Sequence, residues 1–331
     1  MTAKRPVVTP DPNATDPGAV DARAVRRSFG RAAATCDAVA VLQREVGRRM
    51  AARLDVVRLA PVAILDAGCG TGEALRELGA RYPGATRVGL DLALPMLAAA
   101  RTRGGAPGSR LARLVGRVRG HDPVRRPMFA CADIANLPFA AGAFDLVWSN
   151  LALQWVNDLP RALAEFRRVL EVGGLVSFTT LGPDTLKEIR SAFAGVDRHT
   201  HVSRFVDMHD IGDLLVQSGF ADPVMDMECV TLTYADAPSM MRDLRALGAT
   251  NATLGRPRGL MGRGRFERVR AALEATRRDG RIAATFEVIY GHAWKTAPRR
   301  TAEGLPIVTL ERRERTTDGG ALASRPPTQC C

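Results

Sequence analysis

Short apolar runs, several of them followed by apolar positions at helical spacing, recur through the first half of the chain. Five of these runs are predicted to be strands: Ala63–Asp66, Val88–Asp91, Phe129–Asp133, Phe144–Asn150 and Leu175–Thr180. Before the last run, apolar residues recur at i, i+3, i+4 and i+7, which predicts a helix over residues 158–171. Repeated strand and helix units with apolar strands indicate a parallel sheet that is covered by helices on both faces.

The pattern changes after residue 181. Four later segments have helical spacing: Thr185–Phe193, Asp207–Gly219, Pro238–Gly248 and Arg265–Arg278. Two further runs, Met227–Tyr234 and Thr285–Trp294, are predicted to be strands. They raise the number of strands in the sheet to seven and form an antiparallel edge. The predicted fold is therefore α/β and Rossmann-like, with a mostly parallel seven-stranded sheet. The inserted helices are predicted to form a cap over residues 183–222 and 235–284.

Length and composition exclude several classes of protein. The chain has 331 residues, of which 46% are hydrophobic and 25% are charged, and no apolar run is as long as a membrane span. The Pro-rich start lacks the apolar segment of a secretory signal, and no cysteine pair has C-x-x-C spacing, so we expect a cytoplasmic protein with reduced thiols. Residues 1–22 and 297–331 are predicted to be disordered tails around a domain over residues 23–296.

More than half of the excess of basic residues lies in one segment of the chain. The formal net charge is +12, and residues 101–127 contain eight arginines and one acid, a net charge of +7. This segment has hardly any aromatic residue to stack on bases, so nucleic acid is not the expected partner. It is predicted to be either a solvated insertion or a docking surface for an acidic protein.

The turn after the first predicted strand, Asp66–Gly72, has the features of a ligand site. Gly68, Gly70 and Gly72 allow positive φ and close approach of a ligand, and the next helix offers free N–H groups. A dinucleotide site would need glycine where Glu73 stands, and no lysine follows as it does in a phosphate-binding loop. The turn therefore favours a ligand without phosphate and with a positive end, such as S-adenosylmethionine.

Acids also end the second and third predicted strands. Asp91 is placed to accept hydrogen bonds from ribose hydroxyls, and Asp133 from an adenine amino group. Together with Asp66 they are expected at the carboxyl edge of the sheet, where open α/β sheets bind ligands. One such aspartate alone is as readily explained as a helix cap, but three in register with the glycines indicate a cofactor site.

These motifs resemble those of the class I S-adenosylmethionine-dependent methyltransferases. The resemblance rests on Asp66–Gly72, Asp91, Asp133–Ile134, Leu137–Phe139 and Phe144–Trp155. It implies a cofactor site formed by Asp66, Gly68, Gly70, Gly72, Asp91, Leu92, Asp133, Ile134, Asn150 and Leu151.

Over about residues 25–295 the chain is similar to the malonyl-acyl-carrier-protein O-methyltransferases of biotin synthesis. The similar stretches are Val25–Asp37, Leu42–Glu45, Leu181–Leu186, His201–Phe205, Leu244–Thr250 and Thr285–Trp294. The similarity implies that the free carboxyl of a malonyl thioester on acyl carrier protein is methylated. Such carriers are acidic, which agrees with the basic net charge. Cys36 and Phe286 depart from the family pattern, in which tyrosine is common at both positions.

Methylation of a carboxylate needs no general base, because the malonyl carboxyl is ionised at neutral pH. The enzyme has to align the reacting atoms and exclude water. Arg204 is the predicted cation for the substrate, and a surface pair with Asp207 or Asp210 is the alternative. Trp155 is predicted either to wall the transfer pocket or to pack in the core, and His201 is a further candidate catalytic residue.

Other functions are compatible with the same motifs. The architecture also resembles mitochondrial arginine-hydroxylating relatives that bind S-adenosylmethionine and assist the assembly of a respiratory complex. An RNA or small-molecule methyltransferase and a non-enzymatic cofactor-binding scaffold are the remaining alternatives. No metal is expected, because His199, His201 and His209 have no acid or cysteine at a spacing that would complete a ligand set.

Overall fold

The structure, a computed structural model, describes residue 16 and residues 18–103 and 126–297. Most of the two predicted tails and most of the basic segment over residues 101–127 lie outside the described residues. Not one of the described helices combines the length and the apolarity that crossing a bilayer requires.

Seven described strands form one sheet: β1 (Ala63–Ala67), β2 (Thr86–Asp91), β3 (Met128–Cys131), β4 (Phe144–Ser149), β5 (Leu170–Leu181), β6 (Ala221–Tyr234) and β7 (Ile282–Trp294). Their order in the sheet is β3-β2-β1-β4-β5-β7-β6. The first five strands pair in parallel, whereas β7 runs antiparallel to both β5 and β6. The predicted, mostly parallel seven-stranded sheet with an antiparallel edge is therefore confirmed.

Helices cover both faces of this sheet. The described α-helices are α1 (Ala22–Ala32), α2 (Cys36–Val39), α3 (Val41–Arg53), α4 (Glu73–Arg81), α5 (Leu94–Arg103), α6 (Leu159–Val169), α7 (Lys187–Ala194), α8 (Met208–Gln217), α9 (Ala237–Ala246) and α10 (Arg263–Glu274). Buried side chains of α3, α7, α9 and α10 pack into one core, and those of α6 and α8 pack into the core on the opposite face.

Neighbouring side chains of the central strands enter different cores. In β1, Ile64 packs into the core beneath α3 and α9, whereas Leu65 packs into the core beneath α6 and α8. In β4, Trp148 packs into the same core as Ile64, and Val147 packs into the same core as Leu65. Successive side chains of a strand point to opposite faces, so burial on both sides fixes the strands and the loops that follow them.

The helical segment α6 ends where the chain begins to pair with another strand of the sheet. Asp158 caps its first turn, and Phe166 is completely buried at the predicted helical spacing. The helix ends at Val169 rather than at the predicted residue 171. Leu170 already pairs with Phe144 in the sheet, and this pairing competes with a further helical turn.

The predicted N-terminal tail and the predicted cap both differ from the structure. The N-terminal tail predicted over residues 1–22 is too long, because Val20 is buried in a β-bridge with Thr253 and Asp21 caps α1. One buried valine in a Pro-rich segment has no periodicity that would indicate this contact. Of the segments predicted to form the cap, α9 reaches the cavity described below, whereas α8 packs against the sheet through Leu215.

Candidate active site

A cavity of about 480 Å³ lies at the carboxyl ends of β1, β2, β3 and β4. This volume is typical of small-molecule sites. Nine of the ten residues predicted to bind a cofactor line it: Asp66, Gly68, Gly70, Asp91, Leu92, Asp133, Ile134, Asn150 and Leu151. The tenth, Gly72, precedes α4 with a φ of +79°. Helices α1 and α2 also contribute lining residues, among them Phe29 and Cys36.

Gly68 and Gly70 of the turn are glycines for different reasons. Their φ angles are +87° and +52°. A Cβ atom on Gly68 would lie 2.3 Å from the Cβ atom of Ala152, so the segment after β4 passes directly over this residue. A Cβ atom on Gly70 would meet nothing within 4 Å. Gly68 therefore permits close packing, and Gly70 leaves open space for a ligand.

Asp91 holds the glycine turn in its conformation. Its Oδ2 atom accepts a hydrogen bond from the Gly70 N–H at 2.9 Å, and its Oδ1 atom accepts one from the Ala93 N–H at 2.8 Å. Burial raises the pKa of this carboxyl, and the two N–H donors act in the opposite direction. Asp91 is predicted from the sequence to bind a ligand, whereas its bond to Gly70 is not predictable because it joins two separate strand ends.

Two buried acceptors at the cavity have no hydrogen-bond partner among the described residues. These atoms are Asp66 Oδ2 and Gln43 Oε1. Asp66 is 1% exposed, and burial raises the pKa of its carboxyl to about 8, with the Asp91 carboxylate adding to the effect. A buried acceptor without a donor is costly, so each of these atoms is available to a ligand that donates an N–H group. Gln43 lies in the similar stretch Leu42–Glu45, but one glutamine on a helix has no distinctive pattern that predicts a ligand contact.

The ends of β3 and β4 provide further polar groups. Asp133 Oδ1 accepts a hydrogen bond from the Ala135 N–H at 2.9 Å, as an aspartate does in a turn. Asn150 Nδ2 donates to the Gln43 carbonyl oxygen at 3.0 Å, and Asn150 Oδ1 accepts from Thr179 Oγ1 at 2.7 Å. The Asn150 amide therefore joins α3 to β5 and positions Gln43 at the cavity.

The N-terminal helices are tied to the glycine turn. Thr71 Oγ1 donates to Asp37 Oδ1 at 2.7 Å, and Arg103 forms an ion pair with the same carboxylate. Cys36 is buried, and burial raises the pKa of its thiol to about 11, so the thiol is neutral at physiological pH. Asp37 was not among the predicted site residues, because its partner Thr71 lies 34 positions away in the sequence.

An aromatic pair forms part of the cavity wall. The rings of Phe29 and Trp155 meet edge to face, with centroids 5.3 Å apart and an interplanar angle of 84°. Both rings line the cavity, and both also pack against the small cluster that contains Val25. The pair therefore connects α1 to the segment that follows β4.

The structure does not bring Arg204 and His201 to this cavity. Both line a second cavity, of about 470 Å³. His201 Nε2 lies 2.8 Å from Asp197 Oδ1, and its ring stacks on Phe193 with centroids 3.7 Å apart. Arg204 is exposed, and its side chain lies beside Gly18. This geometry does not support their predicted catalytic roles, because Asp197 and Phe193 orient the His201 ring and the Arg204 side chain lies beside Gly18.

Comparison with known proteins places the chain in a family. A methyltransferase domain model matches residues 65–178. The chain is 56% identical over 84% of its length to the malonyl-[acyl-carrier protein] O-methyltransferase of Laribacter hongkongensis, of which it covers 91%. It is 51% identical over 87% of its length to the enzyme of the same name from Gallionella capsiferriformans, of which it covers 96%. The chain belongs to the malonyl-[acyl-carrier protein] O-methyltransferase family.

A comparison with solved structures finds the same fold. A similar chain occurs in the complex between the Haloferax volcanii Trm112 methyltransferase activator and a protein provisionally named a methyltransferase. The match has a TM-score of 0.51 and 18% identity, and it covers 84% of this chain and 100% of that chain. The predicted Rossmann-like class I methyltransferase fold is therefore confirmed.

The cofactor of this methyltransferase family is S-adenosylmethionine, and the residues at the cavity fit it. Its amino-acid end bears an ammonium group, and Asp66 Oδ2 and Gln43 Oε1 are acceptors without a donor in the described part of the chain. Gly70 leaves space beside the turn. Asp91 and Asp133 line the cavity at the next two strand ends.

Proposed function

We propose that this protein transfers a methyl group from S-adenosylmethionine to the free carboxylate of a malonyl thioester on acyl carrier protein. The names of its curated relatives support this substrate. The proposal depends most on the two buried acceptors, Asp66 Oδ2 and Gln43 Oε1, which lack a donor among the described residues and lie at the strand-end cavity. The neutral ester would mask the malonyl charge while the chain is elongated for biotin synthesis.

Three strand ends and helix α3 supply the groups that hold the cofactor in this proposal. Asp66 and Gln43 receive its ammonium group, which supplies the missing hydrogen-bond donor. Asp91 receives the ribose hydroxyls while it continues to hold the turn through the Gly70 N–H. Asp133 receives the adenine amino group at the end of β3, and Ile134 provides an apolar surface beside the base.

The chemistry requires alignment rather than acid–base catalysis. When bound, S-adenosylmethionine supplies a sulfonium methyl group, which is transferred to a carboxylate oxygen while the electron pair of the broken C–S bond stays on sulfur. The attacking carboxylate is already ionised at neutral pH, so no side chain has to remove a proton. The protein therefore contributes orientation and exclusion of water.

Apolar side chains around the cavity support the exclusion of water. Phe29 and Trp155 form one wall, and Leu244 and Phe286 line the cavity from α9 and β7. Opposite charges on substrate and cofactor cancel during transfer, so an environment of low polarity stabilises the transition state relative to the separated charges. Phe286 has no hydroxyl, and it preserves the apolar character of this wall.

The proposed partner is an acidic carrier protein in the cytoplasm. The net charge of +12 favours association with an acidic surface. The four described cysteines form no disulfide, which agrees with a reducing compartment. The relatives' names favour this partner over the assembly-factor alternative. The expectation that nucleic acid is not a partner stays a prediction.

Mass spectrometry of a carrier protein incubated with the enzyme and S-adenosylmethionine tests the proposal. Malonyl-carrier protein should gain one methyl ester, and acetyl-carrier protein, which has no free carboxylate, should be unchanged. A Gln43→Leu variant should form the ester more slowly and bind the cofactor more weakly in calorimetry. Cofactor binding without any methyl ester on malonyl-carrier protein would contradict the proposed substrate.

A further inference from the structure

Three arginines line the strand-end cavity, and two of them are engaged with the backbone. Arg44 Nη1 donates to the Asp37 carbonyl oxygen at 2.6 Å. Arg161 Nε donates to the Ala135 carbonyl oxygen at 2.8 Å. Arg26, on α1, forms no hydrogen bond and no ion pair with any other described residue. Within that part of the chain, all five of its N–H donors are available.

The charges of the cavity are distributed unevenly between its walls. Asp91 and Asp133 stand at the strand ends, and Glu73 begins α4. Helix α1 contains no acid between its first and last residues. An anionic substrate is repelled by the acidic wall and attracted to the wall that carries Arg26 beside the Phe29 ring.

We infer that Arg26 binds the carboxylate that becomes methylated, an inference that rests on the proposed function. The planar guanidinium of arginine matches a carboxylate and forms charge-assisted hydrogen bonds with it. Helix α1 forms part of the same wall as the Phe29 and Trp155 rings, so the substrate anion meets a cation close to two aromatic rings.

This role makes Arg26 a determinant of specificity. An acetyl thioester has no carboxylate for Arg26 to bind. The methyl ester product is also neutral, so the ion pair that holds the substrate is absent in the product. Arg26 therefore favours binding of the malonyl thioester over binding of the acetyl thioester and over binding of the methyl ester product.

Calorimetry without turnover tests the inference. The whole protein is saturated with S-adenosylhomocysteine, which has no methyl group to transfer, and is titrated with malonyl- or acetyl-carrier protein. The wild type should bind the malonyl carrier roughly ten- to a hundredfold more tightly, as expected for hydrogen bonds between charged groups. Arg26→Met should abolish this preference, and Arg26→Lys should retain part of it because the positive charge remains.

Arg27→Met is the matched control. Arg27 is the next residue of α1, is exposed and does not line the cavity. Its substitution removes the same charge, so it should weaken both carriers equally and leave the malonyl-to-acetyl affinity ratio unchanged. Unchanged affinity for S-adenosylhomocysteine shows that each variant retains a folded cofactor site.

The outcomes separate this inference from the proposed function. An affinity ratio in Arg26→Met equal to that of the wild type overturns the role of Arg26, while formation of the methyl ester by the wild type leaves the proposed function standing. A wild type that forms no ester and shows no preference for the malonyl carrier overturns both.

Discussion

Asp66 is expected to lose its proton when the cofactor binds. Its carboxyl is 1% exposed and its Oδ2 atom has no donor among the described residues, so the pKa in the free protein is raised to about 8. The ammonium group proposed to lie against it would stabilise the carboxylate and lower that pKa. Binding at neutral pH should therefore release a proton to the buffer.

The size of this effect follows from the raised pKa. A carboxyl with a pKa of about 8 is about nine-tenths protonated at pH 7, so binding should release about 0.9 proton per site. Because the ionised form binds the cofactor, the association constant should rise roughly tenfold per pH unit below pH 8. Above about pH 8 the amino group of the ligand itself loses its charge, so the gain ends there.

The same pKa determines the sign of a stability effect. The native state holds the Asp66 proton above about pH 4, where the unfolded chain has lost it. Between about pH 4 and pH 8 the native state therefore binds more protons than the unfolded state. The contribution of Asp66 to the free energy of unfolding of the ligand-free protein should fall by about 1.4 kcal/mol per pH unit in this window. Asp66→Asn should remove this dependence, which urea titrations across the window would measure.

Calorimetry in buffers of different ionisation enthalpy measures the proton release directly. S-adenosylhomocysteine is titrated into the wild type at pH 7, and the slope of binding enthalpy against buffer enthalpy gives the protons released. Asp66→Asn should lose most of this slope. Asp133→Asn, which changes another acid of the same cavity, is the control and should keep it. A wild-type slope near zero, or the same slope in Asp66→Asn, would refute the reasoning.

Four further substitutions test the turn. Gly68→Ala places a Cβ atom 2.3 Å from that of Ala152 and should lower the free energy of unfolding by about 1–3 kcal/mol in urea titrations. Gly70→Ala, whose Cβ atom meets nothing within 4 Å, should weaken S-adenosylhomocysteine binding in calorimetry more than it lowers stability; the opposite order would contradict the assignment. Asp91→Ala removes the acceptor of two N–H groups and should abolish detectable cofactor binding, and wild-type affinity would exclude its role. Thr71→Val breaks a 2.7 Å hydrogen bond and should cost about 1 kcal/mol in thermal or urea unfolding; an unchanged midpoint would show that the bond adds nothing.

Local signals were sufficient to predict the strands and the cofactor side of the cavity. The apolar residues of β1, the glycines of the turn and Asp66 lie within ten positions of one another, between residues 63 and 72. Their conformation follows from neighbouring residues, since a buried strand must be followed by a turn that reverses the chain. The acids at the ends of β2 and β3 could be placed at the same edge because parallel strands present their carboxyl ends together.

Distant contacts could not be predicted in this way. Gln43 reaches the cavity through its bond to Asn150, and Asp37 reaches the turn through Thr71. The insertion of β7 between β5 and β6 depends on pairings between strands that are far apart in the chain. Arg204 is predicted to bind the substrate because it stands in the predicted cap within the similar stretch His201–Phe205, yet the structure places it at a different cavity.

The sequence alone therefore determined the strand, turn and helix units and the acid at each strand end, because these depend on residues that are close in the chain. Only the tertiary structure decided which arginine lines the cavity without a partner in the described chain. It also decided which buried acceptors have no hydrogen-bond donor among the described residues. Those properties arise from the packing of segments that are distant in the sequence, and no local pattern specifies them.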